Sequence, residues 1–255
     1  MKRIFFFALA LSLTCVSGRA QVLNLDSGGG GGAPGSDFAV LSKLFGKVGA
    51  FTAKSEVRVL DKNQKETISV VMNFAMLDKS IRMEIDAAKM KNKDLPVGTI
   101  DALQQMGLDK FVTLSRPDRK TLYVIYPKAA CYLTLPIKPE ELEAGEKAAM
   151  KTEALGKETL DGHACVKNKI TITPAKGPPQ TFTVWNVTDL KGFPMQTLTR
   201  QDADTVITRY TEVQLQRPDA KEFEPPAGFE EFKGLAAFQV GMMKKSLGGG
   251  SPPPK

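Results

Sequence analysis

The patterned part of the chain opens with apolar residues three and four apart. Phe38, Leu41, Leu44, Phe45 and Val48 share one helical face, so the spacing predicts a helix over residues 37–48, with Ser36 or Asp37 as its cap. The period then drops to two. Phe51, Ala53, Ser55, Val57 and Val59 alternate with Thr52, Lys54, Glu56 and Arg58, which reads as a strand with one wet face. Ile68, Val70, Met72, Phe74 and Met76 make the next apolar face, and Ile81, Met83 and Ile85 the one after it. Lys62-Asn63 and Asp78-Lys79 supply the turns of an antiparallel meander.

Residues 96–108 group Ile100, Leu103 and Met106 on one side and predict a second helix. Three more strands follow at 111–114, 122–126 and 131–135, separated by Arg116-Pro117-Asp118 and Pro127-Lys128. Residues 138–150 read as a charged helix or a mobile segment. Residues 156–173 form a strand pair broken at Asp161-Gly162, and strands at 181–187, 194–199 and 205–215 continue the alternation. The Pro- and Gly-containing segment 223–229 ends the regular pattern, and 230–246 forms a closing helix. About nine to eleven mostly sequential strands with two or three helices make this a mainly β (α+β) chain, a single curved antiparallel sheet over helices.

The two ends follow different rules. Lys2 and Arg3 precede an apolar run at 4–13, and small residues stand at Gly18 and Ala20. This is the layout of a signal peptide cleaved after Ala20. The run is about half the roughly 20 residues a membrane span needs. Cys15 follows Leu13-Thr14, a poor site for lipid attachment, so cleavage after Ala20 is the reading kept. Residues 21–36 are a Gly-rich flexible leader, 37–246 one domain, and 247–255 a Gly/Pro-rich tail. Losing Lys2, Arg3 and Arg19 lowers the formal charge from +7 to +4. That leaves no dense basic block, and with one Trp and 7% aromatics a nucleic-acid partner is not expected. The expected location is the periplasm.

The order of elements resembles the LolA-like fold, the lipoprotein-carrier family of the bacterial periplasm. The likeness runs from the first helix into Phe51-Thr52-Ala53-Lys54-Ser55-Glu56 and the meander beyond. A related group of poorly characterised exported bacterial proteins shares more: Gly156-Lys157-Glu158-Thr159-Leu160-Asp161-Gly162-His163-Ala164-Cys165, the lone Trp185, Phe193-Pro194, and Phe223-Glu224-Pro225-Pro226-Ala227-Gly228-Phe229. The resemblance covers roughly residues 37–232. It implies an incomplete β-barrel closed by helices, with an apolar concave face that holds acyl chains in the true carriers.

Candidate chemistry is sparse. His163 is the only histidine, and no Gly-x-Ser-x-Gly elbow accompanies it, so no enzyme is expected and His163 reads as a locally bonded residue at a strand start. One His and two mature cysteines make a poor zinc set, and no calcium loop occurs, so neither metal nor cofactor is expected. Cys131 and Cys165 are a candidate disulfide given the compartment. Their parity argues otherwise, since Cys131 aligns with Leu133 and Leu135 but Cys165 with Lys167 and Lys169; two free buried thiols are the alternative.

Met72, Phe74, Met76, Met83, Ile85 and Phe111 share the apolar faces of neighbouring strands. Methionine adapts its shape, so this set is the candidate floor for an apolar ligand, with ordinary core packing as the plainer reading. The expected function is a monomeric, non-enzymatic carrier that holds a lipid, an acylated protein or another apolar molecule and contacts the envelope membrane transiently. The alternative is an interaction or sensor module whose concavity is filled by its own helices.

Overall fold

A computed structural model describes residues 34–175 and 178–247. The expected signal peptide, most of the leader and all but the first residue of the tail lie outside them. Among the described residues four α-helices, α1 (Pro34–Leu44), α2 (Thr99–Gln105), α3 (Pro139–Glu146) and α4 (Leu235–Leu247), accompany thirteen strands. The strands are β1 (Ala50–Leu60), β2 (Glu66–Leu77), β3 (Ser80–Asp86), β4 (Lys91–Asn92), β5 (Lys110–Arg116), β6 (Thr121–Tyr126), β7 (Cys131–Pro136), β8 (Ala149–Leu160), β9 (His163–Thr173), β10 (Gln180–Val187), β11 (Phe193–Gln201), β12 (Asp204–Gln214) and β13 (Glu230–Lys233).

They form one sheet in the order β13-β7-β6-β5-β3-β2-β1-β12-β11-β10-β9-β8, with the short β4 added to β2. The sheet is curved and does not close into a barrel. Several hairpin turns place a residue at positive φ, as at Asp78 and Lys120 and at the Asp161-Gly162 turn, where polar side chains or glycine tolerate the left-handed region. The chain's two halves meet where β1 pairs antiparallel with β12, Ser55 opposite Tyr210 and Val57 opposite Thr208.

The period-two pattern decides the faces. Phe51, Ala53, Ser55, Val57 and Val59 of β1 are all buried, whereas Lys54 is exposed and Glu56 and Arg58 are half-buried. On the concave side the apolar residues fall into separate clusters. One packs Met72, Ile85, Phe111, Tyr126 and Leu133 beneath Leu103, Leu108, Phe238 and Met242. Another packs Phe51, Phe74, Met76, Ile81 and Phe193 around Phe45, at the end of α1. On the convex side Phe223 covers Leu77, Val112, Leu114 and Ile125. Arg116 clamps that cover, donating to the Phe223 carbonyl at 2.6 Å and to Glu224 at 2.8 Å; Arg119 adds two more bonds to Glu224, both at 2.6 Å.

Several boundaries differ from the sequence expectation. The first helix begins at Pro34, inside the expected leader. Within 138–150 the helix stops at Glu146 and a strand starts at Ala149, because β8 is exposed along nearly its whole length and so carries no alternation to read. The expected closing helix over 230–246 is first a strand: β13 runs parallel to β7, the one parallel pairing in an otherwise antiparallel sheet among the described residues, and α4 begins only at Leu235.

Candidate functional site

Strand register brings the six floor candidates together. Met72 faces Ile85, Phe74 faces Met83 and Met76 faces Ile81 across β2 and β3. Ile85 in turn faces Phe111 across β3 and β5. All six lie on the concave face, since alternate residues of paired strands share a side. Five are buried, between 1% exposed at Phe111 and 7% at Ile85; Met83 alone is only half-buried.

Their covers differ. Over Met72, Ile85 and Phe111 stand α2, through Leu103 and the following Leu108, and α4, through Phe238 and Met242. Phe238 stacks on Tyr126 with ring centroids 5.2 Å apart and meets Phe232 of β13 edge-on at 5.6 Å. Helix α4 approaches Phe232 so closely because residue 241 is glycine: a Cβ there would lie 2.2 Å from the ring. Lys245 pins the same helix to Glu230 at 2.7 Å. Over Phe74 and Met76 the cover is Phe45 and Val48, which follow α1. Met83 packs against both clusters and marks where the two covers meet.

The floor also holds polar atoms that the hydrophobic pattern passes over. Thr113 and Ser115 of β5 share parity with Phe111 and stand opposite Met83 and Ile81. They are 3% and 1% exposed, and neither hydroxyl has a hydrogen-bond partner among the described residues. On β1 and β12, Ser55 and Tyr210 hydrogen-bond each other through their hydroxyls, and burial holds the phenol well above its ordinary range. The signal for Thr113 and Ser115 was a break in an apolar run, Phe-Val-Thr-Leu-Ser, where a buried strand face acquires two hydroxyls.

The expected disulfide is not made. Cys131 and Cys165 are both free and buried. Cys131 on β7 joins the cluster under α4, while Cys165 on β9 packs with Trp185 and Val187 near the far end of the sheet. The mismatch in parity was the informative signal. Burial pushes the Cys131 thiol up to about 11 and raises that of Cys165, so both are thiols at neutral pH.

His163 starts β9, and its Nδ1 lies 2.9 Å from Asp189 Oδ2. The segment around it forms a polar network at the hairpin. Glu158 accepts from Trp185 Nε1 at 2.6 Å and from Lys167 at 2.7 Å, and Lys167 lies 5.0 Å from the Trp185 ring centroid. Asp161 accepts from Arg209. These contacts fix a turn. Among the described residues no cluster of three or more His, Cys, Asp or Glu has metal-binding geometry. Nor is any described helix long and apolar enough to cross a membrane.

No family model matches the chain, and no curated protein does. Solved structures similar to it include the lipoprotein LppX of Mycobacterium tuberculosis, at 10% identity and a TM-score of 0.37, covering 69% of this chain and 94% of that one. A LolA superfamily protein of Nitrosomonas europaea matches at 10% identity and a TM-score of 0.32, over 76% of this chain and 97% of that one. The MucA/MucB complex of Pseudomonas aeruginosa matches at 12% and 0.37, over 77% of this chain and 62% of that one. The structural neighbours thus include LolA-superfamily and lipoprotein chains, alike in layout at low scores, and a likeness at this level says nothing of what this chain binds.

Proposed function

We propose that this is an exported, non-enzymatic binding protein that holds an apolar or acylated molecule on its concave face. The observation that carries the reading is the make-up of that face. Met72, Phe74, Met76, Ile85 and Phe111 form an apolar floor centred on the half-buried Met83, under covers supplied by α2, α4 and the turn after α1. A ligand enters by displacing part of the cover rather than by filling an open cleft. Methionines at three of the six positions let the floor reshape around chains of different form. Released acyl cargo would then be passed on during a transient contact with the envelope membrane.

The test is extraction and mass spectrometry of lipids from the purified protein, beside a Met83→Glu variant. Met83 is partly solvated, so the charge is tolerated by the fold while it spoils an apolar floor. Retained acyl species in the wild type and their loss in a folded variant are expected. A wild type with no acyl ligand, and with a melting point indifferent to added fatty acids, defeats the reading.

One observation favours the second reading, a protein-interaction module with a filled concavity. The floor residues other than Met83 are as buried as core, and the edge strand β8 leaves Met150 and Leu155 about half exposed. Charged replacement of Phe74 or Met76 that unfolds the protein would support that alternative.

A further inference from the structure

We infer that Thr113 and Ser115 form the polar end of the binding floor, and that they receive the uncharged ester head of an acyl chain, as in an acylglycerol. The inference rests on the binding reading above and names the chemistry of its ligand.

Thr113 and Ser115 are two apart on β5, so their side chains leave the same face about 7 Å from each other. Thr113 stands between Met83 and Val124, and Ser115 between Ile81 and Leu122. This is the strip at which the two covered clusters meet, beside Met83, the one floor residue that is only half-buried. A buried hydroxyl without a partner costs stability, and an apolar residue at either position would avoid that cost. Two of them side by side at the junction of the covers have the placement expected of groups that bond a ligand.

The surroundings select the head group. Each hydroxyl both donates and accepts, and the spacing suits a head with two separated oxygens rather than a single carbonyl. The same-face register neighbours Ile81, Met83, Leu122 and Val124 carry no charge, so a free carboxylate or phosphate would be buried without a counter-ion. An ester carbonyl next to a free hydroxyl satisfies both demands, and its chain then runs along the adjoining methionines.

Equilibrium dialysis of the full chain with labelled 1-monolauroyl glycerol, dodecane and laurate tests this. The wild type is expected to prefer the glyceride over the other two. The double variant Thr113→Val with Ser115→Ala is expected to lose about tenfold on the glyceride, equivalent to about 1.4 kcal/mol, while its dodecane affinity stays within about twofold. Thr113→Ser with Ser115→Thr should restore the preference. Should the double variant fail to fold, the near-isosteric Thr113→Val alone carries the comparison. Equal losses on glyceride and dodecane, or no preference in the wild type, overturn the ester assignment while leaving the binding reading intact. A wild type that takes up none of the three probes refutes the binding reading itself. A diacylglyceryl peptide run in parallel distinguishes a lipid-modified protein from a free glyceride as the source of the same ester: tighter binding of either supports the assignment and names the source.

Discussion

Gly241 is the position where the cover of the concave face can be loosened without touching the floor. A methyl group there would sit 2.2 Å from Cε1 and 2.6 Å from Cζ of Phe232, so either the ring or the helix has to move. The ring is 7% exposed and packed edge-on against Phe238, which leaves it little room. Phe238 and Met242 are 0% and 3% exposed, and burying such side chains contributes about 1.5–3 kcal/mol each. Overpacking a filled site costs about 1–3 kcal/mol. Gly241→Ala should therefore lower the opening free energy of α4 by about 1–3 kcal/mol, and amide exchange in 235–247 should speed up about 5- to 150-fold. Hydrogen exchange read by mass spectrometry resolves this segment from the strands. Uptake of an apolar dye should rise in parallel. If protection instead falls equally across β5, β6 and β7, α4 is an inseparable part of the core and the idea of a displaceable cover is wrong.

Three further outcomes are expected. Glu224→Gln should weaken the convex clamp by about 0.5–1 kcal/mol, discounted because the carboxylate is 40% exposed. Hydrogen bonds from Arg116 hold the Glu224 carboxyl below its ordinary value, so the difference in urea midpoint should be full above about pH 5 and shrink as acid protonates the wild-type group. Gly107→Ala should cost about 1–2 kcal/mol in thermal or urea unfolding, since its φ of +71° is left-handed and the added carbon would press within 3.2–3.4 Å of the backbone and Cβ at Lys128 and Ala129. A thiol reagent such as Ellman's should label neither Cys131 nor Cys165 quickly at neutral pH until the protein unfolds, and gel mobility should not change on reduction; a mobility shift would reinstate the bridge.

Alternation of apolar and polar residues was enough to locate most of the sheet. Phe51 to Val59 and Val70 to Phe74 read cleanly because alternate residues are buried while those between them are exposed or half-buried. The same logic explains what was missed. With nothing but its last residue part-buried, β8 offers no period, so Ala149 and Met150 read as the end of the charged segment 138–150 and the strand pair reads only from Gly156. β13 is four residues long and pairs with a strand about 100 positions earlier, a contact that no local pattern records. For the site, register delivered Met72, Phe74, Met76, Met83, Ile85 and Phe111 to one face. What lies over that face is set by tertiary packing, where Phe45 and Phe238 fold back across it. The cysteine pairing failed for a related reason, since compartment favours bridges in general but only geometry selects partners.

The pairing of β1 with β12 has a kinetic consequence. Val57 and Thr208 are neighbours in space and about 150 residues apart along the chain. Closing a loop of that length costs about 4–5 kcal/mol of chain entropy before any ladder bond offsets it. Hairpins such as β2–β3 and β8–β9 have no such delay, so each half of the sheet can assemble early while their junction waits. During that interval β1 carries one bare edge along an eleven-residue strand whose alternate side chains include Phe51, Val57 and Val59. A strand in that condition is a template for any extended chain that reaches it first. The yield of correctly folded protein should therefore be decided at this junction, and refolding should become less efficient as protein concentration rises.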